Sequence, residues 1–150
     1  MPSWSLVKIK YTQEQENGSL KTINETCLVD SVSFTDAEAR AFKVLSEVLQ
    51  EFQVVSIAKM KLSDVFHFED EAGEKWYKVK MFYVSIDDSR GAPKEKKIIS
   101  YMLVNADSAK QAIERIEKSL ATMLIPYEIT DVILTPILEV YPYVSEEQEE

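Results

Sequence analysis

The sequence predicts an α+β fold built as two tandem, pseudo-symmetric strand-strand-helix-strand repeats, mainly antiparallel sheet with one helix per repeat. Three observations carry that expectation. The chain repeats itself: Trp4-Ser-Leu-Val-Lys-Ile-Lys-Tyr11 aligns with Trp76-Tyr-Lys-Val-Lys-Met-Phe-Tyr83 at a shift of 72, Leu28-Val29 with Leu103-Val104 at 75, and Ile57 to Phe66 with Val132 to Tyr141, again at 75. Apolar residues alternate in the opening segment of each half, the period of a half-buried strand. Between the sheet-like segments of each half lies one stretch with apolar residues at helical spacing: Ala37, Ala41, Val44, Val48 and Phe52, matched by Ala109, Ile113, Ile116, Leu120 and Leu124.

Taken in order, Trp4 to Tyr11 and Trp76 to Tyr83 are first strands. Asn17-Gly18 and Arg90-Gly91-Ala92-Pro93 supply the turn chemistry that leads into second strands at Thr22 to Val29 and Lys97 to Val104. Thr35-Asp-Ala-Glu38 and Ser108-Ala-Lys-Gln111 read as capping boxes, a hydroxyl accepting from an orphan amide while the acid or amide reaches back. Helices of about four turns are expected after each. Third strands follow at about Val54 to Leu62 and Ile129 to Leu138, where Thr135-Pro136 marks an edge or bulge because proline cannot donate to a ladder. Short aromatic segments, Val65-Phe-His-Phe68 and Val140-Tyr-Pro-Tyr143, close the halves. The repeats are thus drawn at 1–68 and 76–144 of one compact unit, with the acidic stretch Glu69 to Lys75 as seam and 145–150 as an acidic disordered tail. One helix covers one sheet face, so the opposite face of each half must find a partner or stay wet.

Composition narrows function by exclusion. With 150 residues, 45% hydrophobic and 29% charged, and only three Gly, the chain is long enough to bury a core without a metal or disulfide staple, and it lacks the glycines for a phosphate-binding loop. Its lone cysteine, Cys27, cannot form an internal bridge, and Met1-Pro2-Ser3-Trp4 carries no export signal, so a cytoplasmic location is expected. No apolar run is long enough to span a bilayer. Seventeen basic against 26 acidic residues give a net charge of −9, which opposes a general electrostatic grip on nucleic acid. Four of those acids, Glu146, Glu147, Glu149 and Glu150, sit in the tail, where they read either as a solvated end or as a competitor for a basic face.

The opening Trp with Val-Lys-x-x-Tyr, the block Leu28-Val-Asp-Ser-Val-Ser-Phe-Thr-Asp-Ala-Glu-Ala-Arg40, Trp76-Tyr-Lys-Val-Lys80 and the terminal Val140-Tyr-Pro-Tyr143 resemble an uncharacterised domain-of-unknown-function family of gut bacteria and their phages. The likeness runs over nearly the whole chain. It implies a mobile-element setting and supplies no catalytic residue.

Strand parity locates the candidate site. If Val7, Ile9, Tyr11 and Val79, Met81, Tyr83 face a helix-covered core, the opposite face carries Trp4, Leu6, Lys8 and Lys10 in one half and Trp76, Lys78, Lys80 and Phe82 in the other. On the second strands the same parity adds Thr22, Asn24, Thr26 and Lys97, Ile99, Tyr101. Lysines interleaved with aromatic rings suit a flat-based anion, each stacked base being worth about 1–3 kcal/mol while ammonium groups neutralise phosphate. The ligand-binding residues expected are therefore Trp4, Lys8, Lys10, Trp76, Lys78, Lys80 and Tyr101, in a non-enzymatic protein that holds single-stranded nucleic acid or a nucleotide-like anion. In the competing reading the tryptophans are glue between halves or between copies, the lysines snorkel at the rim, and the chain is an interaction or assembly component of a phage or mobile element that binds another protein. Neither reading calls for a cofactor or metal: His67 is the single histidine, and Asp87-Asp88 and Glu69-Asp70-Glu71 lack the ligand spacing of a calcium loop.

Overall fold

The computed structural model describes residues 3–69, 75–87 and 91–142. Its elements run β1 (Ser3–Glu14), β2 (Leu20–Ser31), α1 (Phe34–Leu45), β3 (Gln53–Met60), β4 (Asp64–Phe66), β5 (Lys75–Asp87), β6 (Lys94–Ala106), α2 (Ala109–Ser119), β7 (Tyr127–Leu134) and β8 (Ile137–Tyr141). The fold is α+β, with two helices and two mainly antiparallel four-stranded sheets ordered β3-β1-β2-β8 and β4-β6-β5-β7. Each sheet has two antiparallel pairings and one parallel one, β2 with β8 and β6 with β4. A register shift falls between Lys8 and Ile9 against β3, and between Lys80 and Met81 against β7, the same place on the 72-residue shift.

The chain divides into two compact units, 1–61 with 136–150, and 62–135. These are not the stretches 1–68 and 76–144 that repeat in sequence, because the short closing strands lie outside their own halves. β4 pairs with β6, and β8 pairs with β2.

In the first unit, alternation along β1 sends Val7, Ile9 and Tyr11 to one face, where they meet Cys27, Val29, Ala41 and Leu45 beneath α1. In the second, Tyr77, Val79 and Met81 meet Met102, Val104, Ala112 and Ile116 beneath α2. Alanines at Ala37, Ala41 and Ala112, all fully buried, let the helices lie close on their sheets. The β1–β2 turn closes with Gln15 N–H donating to Ser19 O at 2.8 Å, and Gly18 takes φ +83°, a left-handed conformation that strains residues with a Cβ.

Helix ends correct part of the sequence reading. α2 begins as expected: Ser108 Oγ accepts from Gln111 N–H at 3.1 Å, and Gln111 Oε1 accepts from Asp107 N–H at 2.7 Å. α1 begins two residues before Thr35, at Ser33, whose Oγ accepts from Asp36 N–H at 3.1 Å while Asp36 Oδ2 accepts from Val32 N–H at 2.9 Å. Both helices span about three turns, one fewer than expected, so Val48 and Leu124 lie beyond them and are exposed. The expected third strand from Ile129 to Leu138 is two strands, broken at Thr135-Pro136. There Thr135 donates through both its N–H and its Oγ1 to Trp76 O, at 3.0 and 2.8 Å. The segment after β4 is tied to β6 by Asn105, whose Oδ1 accepts from Phe68 N–H and whose Nδ2 donates to Phe68 O, both at 2.7 Å. Arg115, buried, donates to Asn105 O at 2.8 Å with its guanidinium 4.9 Å from the Phe68 ring. Most of the seam 69–75 and the acidic tail lie outside the described residues.

Candidate functional site

The faces turned away from the helices carry the expected parity, and each changes character along its length. In the first unit Trp4 and Leu6 are half-buried while Lys8 and Lys10 are exposed. In the second, Trp76 is only 6% exposed while Lys78 and Lys80 are half-buried. Leu28 and Leu103, which share these faces with Leu6 and Lys78 by strand pairing, are fully buried. The tryptophan end is therefore apolar and covered, and the lysine end is wet.

This corrects one part of the expected site. Trp76 offers no open indole face for stacking, since it is buried with its ring centroid 5.6 Å from that of His67. The physical reason is that the covered end of the face demands large apolar side chains, and Trp76 meets that demand.

Three of the expected residues do converge. Lys80 lies opposite Tyr101 on β6 and opposite Asp131 on β7, and Lys78 lies opposite Ile133. Lys78, Lys80, Tyr101, Asp131 and Ile133 line a cavity of about 250 Å³. The Lys78 ammonium sits 4.7 Å from the Tyr101 ring centroid, a cation–π contact that holds both side chains at the cavity wall. A second such pair, Lys97 over Phe82 at 4.1 Å, stands on the same sheet. Lysines and rings thus interleave as the parity argument requires, and each lysine of these two pairs already occupies one ring. The cavity holds two ammonium groups against one carboxylate, with a phenol and an aliphatic wall, a set that fits a compact planar anion.

The first unit presents its lysines differently. Opposite Lys8 stand Thr26 and Ser56, and opposite Lys10 stand Asn24 and Gln53, so no ring lies directly across from either ammonium. Lys10 instead lines a cavity of about 670 Å³ with Tyr11, Thr12, Phe42, Gln50 and Phe52 among its walls. Phe42 and Phe52 stack there with centroids 5.0 Å apart, and the Tyr11 hydroxyl donates to Glu25 at 2.7 Å, which raises the phenol pKa above its usual value. Sequence reasoning missed this cavity because it carried Phe52 on the helical stripe, although Phe52 lies beyond α1 and outside every helix and strand. It also missed Asp131 and Ile133, whose register depends on the shift between Lys80 and Met81.

The remaining chemistry-bearing groups stand apart. Cys27 is a free thiol in the first unit's core, and burial pushes its pKa up to about 11 with further help from the carboxylates of Glu25 and Glu139. A thiol held neutral in this way is a packing group and a poor nucleophile. His67 stands against Trp76 in the second unit. Among the described residues, no group of three or more His, Cys, Asp or Glu side chains is placed to hold a metal ion, and no helix is long and apolar enough to cross a membrane.

A family model for a domain of unknown function, DUF4494, matches residues 3–143. The chain belongs to the DUF4494 family. The match covers both sheets and both helices. A search of curated proteins gives no match.

Proposed function

We propose that this DUF4494 protein is a non-enzymatic binding protein that holds a compact nucleotide-like anion in the Lys78–Lys80–Tyr101 cavity. The observation that carries the reading is the convergence of two ammonium groups and a phenol ring on one cavity, with Asp131 as a single opposing carboxylate. A chain at net charge −9 repels a long polyanion, which favours a small ligand over an extended single strand. The cavity, at about 250 Å³, is also smaller than the ~300–1,000 Å³ usual for drug-sized ligands, which again favours a compact one. Titration with AMP and with an oligothymidylate at low salt tests it: AMP should bind, weaken as ionic strength rises, and be lost in Lys80→Ala. No heat or NMR shift from AMP at low salt would falsify the reading.

A second reading has its own observation. β3 and β7 are edge strands, and they expose Val55, Ile133 and Leu134. Such edges suit strand addition by another protein, as an assembly component of a phage or mobile element would use. Under it, Lys80→Ala leaves partner binding intact and a proline at Val55 weakens it.

A further inference from the structure

In each unit the hairpin of the first two strands outruns the third. β1 pairs with β2 as far as Glu14, opposite Leu20, but with β3 only as far as Lys10, opposite Gln53. Antiparallel partners alternate between pairs that exchange backbone bonds and pairs that turn those groups outward. Gln15 N–H donates to Ser19 O at 2.8 Å, so Gln15 and Ser19 are a bonded pair, Gln13 and Lys21 are the next, and Thr12 and Thr22 turn outward. The N–H and C=O of Thr12 therefore point to the side of β3, past the end at which β3 stops. Among the described residues no strand lies there to take them up. One donor and one acceptor of the same residue stand open, the pair that an added strand engages.

That opening is the first unit's cavity of about 670 Å³, with Lys10, Thr12 and Phe52 on its lining. Phe42, 42% exposed, and Phe52 stand with ring centroids 5.0 Å apart and form an apolar recess on the α1 side. The exposed Lys10 sets one ammonium opposite Gln53, the first residue of β3. A strand laid along Thr12 toward Lys10 meets Gln53 and goes no further, because β3 already occupies that line. The segment that fits must end there. An ammonium at the stopping point matches a carboxylate, so the added strand runs antiparallel to β1 with its C-terminus at Lys10. Glu51, on the same lining, opposes an acidic side chain, and the two rings favour an aliphatic one. The matching corner of the second unit has Phe82 and Val84 in the places of Lys10 and Thr12, and no ammonium is on its lining.

We infer that the cavity at Lys10 and Thr12 is a binding site for the free carboxy-terminal end of a polypeptide. Strand addition on Thr12 holds the backbone, Lys10 takes the terminal carboxylate, and an aliphatic side chain of the last residues packs on Phe42 and Phe52. This site is separate from the Lys78–Lys80–Tyr101 cavity, and neither depends on the other.

The test uses the full chain and the pentapeptide Thr-Val-Thr-Leu-Leu, labelled with fluorescein at its amino end, in two forms: free carboxylate and carboxamide. Fluorescence anisotropy should show the free acid binding at least about tenfold more tightly than the amide, the loss expected when a charge-assisted bond is removed. Lys10→Met keeps the stem and removes the charge, so it should bring the free acid down to the affinity of the amide and leave the amide unchanged. Thr12→Pro removes the outward N–H without touching a β1–β2 bond and should abolish binding of both forms. Equal affinity of the wild-type chain for acid and amide overturns the inference, as does the absence of binding by either at millimolar peptide. An acid preference that persists in Lys10→Met overturns it too. Should Thr12→Pro fail to fold, the acid–amide comparison in wild type and in Lys10→Met still gives the answer.

Discussion

At one corner of each sheet, where the first strand meets the start of the third, the two units hold cavities of different chemistry. In the first unit Lys10, Tyr11 and Thr12 face Gln50 to Gln53 around about 670 Å³. In the second, Phe82, Tyr83 and Val84 face Ile125 to Glu128 around about 290 Å³. The shifts of 72 and 75 relate these positions, and the tyrosine is kept while its neighbours change from polar to apolar. On the outer faces the lysine is kept and small hydroxyl neighbours give way to a ring and a carboxylate. There Lys8 faces Thr26 and Ser56, whereas Lys80 faces Tyr101 and Asp131 and shares a cavity with both. One backbone plan thus carries two surfaces, and the difference lies in side chains that the helix-covered cores do not constrain.

If the two units differ mainly at their surfaces, matched core substitutions should expose how far that holds. Ile116, fully buried beneath α2, corresponds on the shift of 72 to Val44, which is half-buried on α1. Ile116→Ala should cost about 2–5 kcal/mol in chemical denaturation and Val44→Ala about 1 kcal/mol, because the cavity term grows with burial. Equal losses would show that the cores are closer in packing than their burial states. The next largest effect concerns Asn105, which corresponds to Asp30 on the shift of 75. Asn105→Asp removes the donor that meets Phe68 O and sets a carboxylate against that carbonyl, at a cost of about 1–3 kcal/mol by the same measurement. An unchanged midpoint would mean that the amide clasp is not what fastens residues 67–69 to β6.

Strand parity, the order of elements along the chain and the α+β class were legible, parity because alternation in Val7-Ile9-Tyr11 and Val79-Met81-Tyr83 reports directly on which face is buried. The Ser108 cap was legible because its box stands alone. At the first helix two boxes compete, and Ser33 wins over Thr35 because Asp36 can satisfy Val32 N–H while Ser33 takes Asp36 N–H. The exchange of β4 and β8 was not legible in local pattern, since Val65-Phe66 and Val140-Tyr141 read as strands wherever they pair. The candidate site divides in the same way. Lys78, Lys80 and Tyr101 follow from parity, whereas Asp131 depends on a one-residue register shift and the burial of Trp76 on a cover that no local pattern announces.

Titration sharpens the contrast between the cores, because Cys27 corresponds to Met102, which carries no proton. With a folded pKa of about 11 against an ordinary 9.0, Cys27 contributes stability that is fully present below pH 9 and is lost as pH rises through 11. Melting curves across that window should fall more steeply for wild type than for Cys27→Val, and parallel curves would remove Cys27 from the account. Tyr11, raised above its usual 10.0 chiefly by its hydrogen bond to Glu25, adds a loss of the same sign in alkali, so Tyr11→Phe in the Cys27→Val background isolates the tyrosine's share.

The smallest effect separates the outer faces. Lys80 and Lys8 both lie at the register shift of their strands, yet the residue facing them from the third strand is Asp131 in one unit and Ser56 in the other. A partly solvated carboxylate beside an ammonium is worth up to about 1 kcal/mol, so Asp131→Asn should tighten AMP binding about threefold in titrations at low salt, with the gain fading as salt is added. Ser56→Asp, the reverse exchange on the first unit, should leave AMP binding unchanged, because the ligand cavity is lined from β5, β6 and β7 alone. A loss of affinity in Ser56→Asp matching the gain in Asp131→Asn would move the anion from that one cavity to the summed field of both faces.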